Sequence, residues 1–186
     1  TATDDTRLWL ERAVIALNLC PFAKGVHTKQ QVRYAVCTSD DPAVLLEDLR
    51  RELLHLAEAD PEQLDTTLLI APHCLPDFLD FNDFLNVADA LLEELGLEGD
   101  YQVADFHPQY QFGGTDVDDM GNFSNRAPYP TLHLLREDSI DRAVEAFPEA
   151  EAIFEQNIAR LEQIGPSGWQ ALDVGPRVAP LKDYSR

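Results

Sequence analysis

Two histidines and two cysteines stand where short β-type runs end. Cys37 closes QVRYAVC (31–37), His73 and Cys74 follow TTLLIA (66–71), and His107 closes YQVADFH (101–107). An imidazole titrates near neutral pH and serves as acid, base or metal ligand. A thiolate is a nucleophile and a soft ligand. In open α/β sheets, ligands gather outside the carboxyl ends of the strands. These residues therefore mark one candidate edge, with His107 as its acid/base; a buried, purely structural His107 is the competing reading. A third cysteine, Cys20, lies in Leu19-Cys20-Pro21-Phe22-Ala23-Lys24. At the end of a helix it is inert, because the negative end of the helix dipole raises a thiol pKa. As the N-cap of a new turn, with Pro21 first in the turn and Lys24 nearby, it becomes an activated nucleophile.

The second group lies in PQYQFGGTDVDDMGNFSNRAPYP (108–130), a long connection without periodicity. Such a loop inside a compact domain is functional or disordered, and Tyr110, Phe112, Phe123 and Tyr129 argue for order. A binding loop or lid is expected, with a structural loop as the alternative. Charge sharpens this. The chain holds 34 Asp and Glu against 14 Lys and Arg, a net charge of −20. Yet residues 12–39 contain no carboxylate and four cations, Arg12, Lys24, Lys29 and Arg33, and residues 120–136 contain none alongside Arg126 and Arg136. Guanidinium forks grip phosphate or carboxylate, and a cationic patch in an acidic protein focuses the field locally. The expectation is an enzyme for a small anionic metabolite. Arg126 and Arg136 clamp the anion, with Lys24, Asn122 and Asn125 as further binding residues. His107 is the acid/base, with Cys20 and Tyr110 beside it.

Two other functions compete. His73, Cys74, His107 and His133 are candidate ligands for zinc or iron, and Asp116, Asp118 and Asp119 for a harder ion. No close His/Cys spacing repeats, and the aspartates lack the EF-hand pattern. The third reading is a non-catalytic binding or interaction module. Several enzyme classes fall away: there is no G-x-S-x-G elbow and no Walker or Rossmann glycine pattern. No cofactor is assigned. The charge of −20 argues against nucleic acid and anionic membrane as partners.

The elements that must position these residues follow from periodicity. A helix is expected over 4–19, with Leu8, Leu10, Val14, Ile15 and Leu17 near helical spacing. Leu45, Leu49, Leu53 and Leu56 define a second helix starting near Pro42. Phe81, Phe84, Leu85, Ala88, Leu91 and Leu92 define a third over 77–95, ended by Gly96 and Gly99. Strands fall at 31–37, 66–71, 101–107 and 131–136. A helix capped by Asp138 or Ser139 runs to Ala146, Pro148 breaks it, another follows over 149–164, and an irregular tail begins near 165. Alternation of strands and helices predicts an α/β fold. The expected form is a single compact domain over 1–186, with a three- or four-stranded, mostly parallel sheet. The last strand has no helix before it and is free to run antiparallel.

Length and composition agree with one globular domain: 45% of residues are hydrophobic, enough for a core at 186 residues. Three cysteines with no C-x-x-C pair argue against a disulfide framework and for a reducing cytoplasm. The acidic, apolar-poor stretch Thr1–Leu10 is not expected to act as a signal peptide, and no membrane-spanning helix is expected.

The motifs resemble a bacterial family catalogued only as a domain of unknown function. The resemblance rests on NLCPFA (18–23), FHPQYQF (106–112), and NRAPYP (125–130) running into HLLRE (133–137). It covers the chain from about residue 5 to residue 176. It implies a small soluble bacterial protein and carries no activity over to these residues.

Overall fold

The structure, a computed structural model, describes residues 1–147, 149 and 151–179. Four strands, β1 (Val32–Val36), β2 (Thr66–Ile70), β3 (Tyr101–Phe106) and β4 (Thr131–Arg136), form one sheet in the order β1-β2-β4-β3. β1 and β2 are parallel, and β4 runs antiparallel to both β2 and β3. The fold class is therefore α/β, but the sheet is mixed rather than mostly parallel. The reason is connectivity. β3 reaches β4 through the long loop, which leaves and re-enters at the same sheet edge, so β4 has to reverse direction. It fills the slot that the crossover from β2 to β3 leaves open.

One face of the sheet is covered by α3 (Pro42–Glu58) and α4 (Phe78–Glu94). Both start on an aspartate whose carboxylate accepts backbone N–H groups: Asp41 from Ala43, with Pro42 in the first turn, and Asp77 from Leu79 and Asp80. The expected leucine stripe, Leu45, Leu49, Leu53 and Leu56, is fully buried against Leu69, Leu132 and Leu134 of the sheet. Each such side chain contributes roughly 2 kcal/mol.

The other face carries the N-terminal helix, the short α2 (Ala23–Thr28) and α5 (Glu137–Ala146). The first helix starts earlier than its periodicity indicated. α1 (Ala2–Trp9) is capped by Thr1, with Asp4 completing a capping box, and continues as a π-helix over Leu10–Ile15. There Ala16 N–H reaches Glu11 C=O, and Leu19 N–H reaches Val14 C=O. Asn18 ends the helix in the left-handed region (φ 52°). α5 starts at Glu137, with Arg136 rather than Asp138 or Ser139 at its cap position. The expected break at Pro148 lies outside the described residues. α6 (Ala152–Ala171) extends well past the expected end. Gly165 (φ 62°) kinks it, and Pro166 opens new helical turns, a position where its missing N–H does no harm. Irregular chain thus begins after Leu172 instead of near 165.

The first helix is pinned to the segment that follows α6. Tyr129 donates its hydroxyl to buried Asp5 (2.5 Å). The N–H groups of Arg177 and Val178 reach Asp5 and Tyr129 at 3.0 and 2.9 Å. No described helix is long and apolar enough to cross a membrane.

Candidate functional site

The sheet register brings the expected edge together. Val36 pairs with Ile70, and Ile70 and Phe106 both pair with Thr131. Cys37, Cys74 and His107 stand just beyond, but all three are turned into the α3/α4 core, at 0%, 1% and 0% exposure. Burial pushes both thiols up, Cys74 to about 11. The His107 ring lies among Phe78 and Phe81. Its Nδ1 accepts the Gln109 N–H (3.0 Å), which assigns the proton to Nε2, and Nε2–H donates to Leu75 C=O (3.0 Å). Burial lowers its pKa, with the Leu75 bond and Asp77 opposing. Both nitrogens are thus spent on tying the turn after β2 to the turn after β3.

The polar residues of the long loop are spent in the same way. Asn122 is fully buried. Its oxygen accepts from Phe112 N–H (2.9 Å) and lies 3.0 Å from the Thr115 hydroxyl, which donates to Phe112 C=O (2.7 Å), and its amide donates to Asp116 C=O (2.8 Å). Arg126 donates to the carbonyls of Tyr110 (3.1 Å) and Val117 (2.6 Å) and stacks on Phe123 at 4.3 Å. Burial lowers its pKa. Asn125 donates to Asp105 C=O and accepts the His107 N–H on its own backbone. Tyr110 packs among Phe78 and Phe112; burial, then the Asp105 charge, push its phenol up. The loop is a built, largely self-satisfied structure.

Arg136 stands elsewhere. One terminal nitrogen donates to the carbonyls of Leu56, Ala59 and Leu64 (2.8, 3.1 and 3.0 Å), and the other to the Tyr101 hydroxyl. It closes the C-terminal end of α3, where a cation is favoured. Arg126 precedes β4 and Arg136 ends it, so the length of that strand, about 17 Å, separates them, and they do not converge on one small anion. Lys24 is exposed on α2, away from both. His73, Cys74, His107 and His133 do not gather either. Among the described residues, the one group with metal-ligand spacing is Asp116, Asp118 and Asp119, all exposed.

A cavity of about 330 Å³ lies instead on the opposite face of the sheet. Its floor includes Leu68, Phe106 and His133; Trp9, Val14 and Cys20 wall it. α5 roofs it with Ile140, Ala143 and Val144, and Phe147 closes edge-on against Phe22. Local structure explains this shape. The π-helix displaces the end of the first helix, and left-handed Asn18 turns the chain so that Leu19 goes inward and Cys20 meets the cavity. From α6, Asn157 donates to Leu19 C=O and Arg160 to Leu17 C=O, holding that turn. Cys20 does not end the first helix; it opens a turn with Pro21 second in it, whose Ala23 N–H reaches the Cys20 C=O (3.3 Å). It sits in the link, two residues ahead of Phe22, the residue that precedes α2.

The polar group of most consequence in the cavity is His133. Its Nε2 lies 2.9 Å from the Thr66 hydroxyl, which itself lies 2.6 Å from Leu134 C=O. The single hydroxyl proton goes to the carbonyl, so Nε2 carries the imidazole proton and Nδ1 presents its lone pair. Among the described residues Nδ1 has no partner. Burial pushes the pKa down to about 4, so the ring is neutral at neutral pH. At the rim, Ser139 of α5 donates to Asp65 (2.7 Å), fastening the first turn of the roof.

A family model described as a protein of unknown function, DUF1415, matches residues 1–171. The chain belongs to that family. No curated protein and no solved structure matches it. The family match spans every wall of the cavity as well as the long loop and both arginine sites.

Sequence reasoning overlooked the cavity because its walls are written in ordinary core letters. One signal was present: Ile140, Ala143 and Val144 on α5, with Phe147 just past its end, fall at helical spacing, and in the structure no residue of that helix is buried. An amphipathic helix whose apolar face lacks full cover lies over a cleft or a partner.

Proposed function

We propose that this chain binds a small, mainly apolar molecule bearing one O–H or N–H group in the cavity under α5. The observation that carries this reading is the neutral, tautomer-fixed His133, whose Nδ1 is an acceptor in a mainly apolar site. Ligand sites are concave, mostly apolar and oriented by a few polar groups, and 330 Å³ lies within their usual range. The cavity lining holds one carboxylate, Asp65, and no Lys or Arg, which favours an uncharged ligand. With a pKa near 4, His133 acts as a hydrogen-bond acceptor rather than as a proton store at neutral pH. Cys20 presents a thiol to the same ligand.

The test compares indole with indene, its carbon isostere without the N–H, by calorimetry on the full chain and on His133→Phe. The native protein binds both, and the indole-to-indene affinity ratio falls about ten-fold in the variant, the worth of one hydrogen bond. Absence of binding, or an unchanged ratio, contradicts the proposal.

A further inference from the structure

The roof of the cavity is held unevenly. The start of α5 is fixed. Arg136, at its cap position, is tied to the end of α3, Glu137 N–H donates to Asp100 C=O (2.9 Å), and the Ser139 hydroxyl donates to Asp65 (2.7 Å). Beyond Ser139, among the described residues, no α5 side chain makes a hydrogen bond or ion pair to another element; Arg142 reaches back only to Ser139 (3.2 Å). The far end rests on an aromatic contact. The Phe147 ring meets Phe22 edge-on with centroids 5.1 Å apart, and Phe147 remains 45% exposed.

The body between these ends covers empty space. Ile140, Ala143 and Val144 line the cavity, and no residue of the helix is buried. A side chain over a void has no partner atoms on that side and forgoes their dispersion attraction. A helix of ten residues is marginal alone in water and draws its stability from packing. Charge gives α5 no compensation: it carries four carboxylates against one arginine in a chain of −20. Other elements are held better. α3 and α4 bury full apolar stripes against the sheet, and α6 buries Leu161 and holds the turn before Cys20 through Asn157 and Arg160.

We propose that α5 is a hinged lid on the cavity. Its hinge is the anchored first turn, and its latch is the contact between Phe147 and Phe22. The lid lifts to admit the ligand and settles once the ligand supplies the contacts that Ile140, Ala143 and Val144 lack. Phe22 lines the cavity and also receives Phe147, so a ligand seated against Phe22 steadies the latch. Closure keeps water from Nδ1 of His133, and a hydrogen bond in a dry site is electrostatically stronger. The long loop 108–130, where the sequence suggests a lid, satisfies its own polar groups, and the movable cover is α5 instead. This inference rests on the ligand reading above for what enters, and adds the route of entry and the enclosure.

The experiment measures how fast N-ethylmaleimide, a compact uncharged thiol reagent, alkylates Cys20 in the full chain, with the label located by peptide mass mapping. Cys20 lines the cavity, whereas Cys37 and Cys74 are buried in the α3/α4 core and report global unfolding. Phe147→Ala removes the latch and is expected to speed Cys20 labelling about ten-fold, the worth of one aromatic pair, while Cys37 and Cys74 stay unlabelled. Phe147→Leu keeps apolar cover without the ring and gives a smaller acceleration, about three-fold. Leu79→Ala, at an exposed position of α4 on the opposite face of the sheet, leaves the rate unchanged. Saturating indole slows Cys20 labelling in the native chain. An unchanged Cys20 rate in both Phe147 variants, or an equal acceleration at all three cysteines, overturns the lid. Acceleration by Phe147→Ala with no protection by indole overturns the ligand reading and leaves the lid standing.

Discussion

Acid sensitivity reports directly on the imidazole under α5. His133 is held neutral by burial, with a folded pKa near 4 against an ordinary 6.5. Above 6.5 neither the folded nor the unfolded chain protonates it. As pH falls below 6.5 the unfolded chain takes up a proton that the folded chain refuses, so stability falls until the folded pKa is reached. Each pH unit crossed costs 1.36 kcal/mol, and the interval from 6.5 to about 4 amounts to about 3 kcal/mol. Phenylalanine keeps the ring volume and cannot titrate. Urea unfolding of the native chain and His133→Phe at pH 7 and at pH 4 isolates the effect, because every other group titrates alike in the two proteins. The native chain should lose about 3 kcal/mol more than the variant over that interval. Equal losses in the two proteins would show that His133 is solvated or paired in the fold, and the argument for a neutral acceptor would fall with it.

Three further perturbations follow from the same physics. Arg136→Met removes four hydrogen bonds at the end of α3. It should lower stability by about 3 kcal/mol and Tm by roughly 6–12 °C, and a change within about 0.5 kcal/mol would return Arg136 to the pool of free ligand-binding cations. Asn122→Ala orphans the Phe112 N–H and the Asp116 C=O. It should cost about 2–3 kcal/mol and speed proteolytic cleavage within 108–126; native-rate cleavage would contradict the loop's dependence on that amide. Burial raises the Asp5 pKa, but the Tyr129 and Arg177 hydrogen bonds outweigh it and hold the carboxyl below its usual 3.8. Its contribution is therefore present above 3.8 and lost as pH falls toward the lower folded value. Asp5→Asn should flatten that part of the acid limb in denaturation curves, and an unaltered limb would refute the assignment.

How legible was this molecule in its sequence? The stripes that bury against the sheet were plain: Leu45 to Leu56 on α3 and Phe81 to Leu92 on α4 follow one helical face and pack as read. The place of β4 was not, because which strands it joins is decided by pairing across the sheet rather than by local pattern. The π-helix was also invisible, since apolar spacing along Leu10–Ile15 does not separate a five-residue bond from a four-residue one. His107, Asn122, Arg126 and Arg136 attracted attention by type, but type says nothing about partners. Their partners are mainly backbone groups, which no side-chain pattern encodes. His133 stood in the sequence only as a candidate metal ligand, and only the alternation of β4 with the cover of α5 turns it toward the cavity. The tail expected to be irregular from near 165 holds Pro166, which, with left-handed Gly165 before it, starts the last turns of α6 instead.

The central claim is that His133 orients a small apolar ligand beneath α5. A crystal structure of the full chain soaked with indole tests it most directly. Indole is expected against Trp9 and Phe106, with its N–H about 2.9 Å from Nδ1 of His133. Indole bound outside this cavity, or inside it with its N–H turned from His133, would contradict the account.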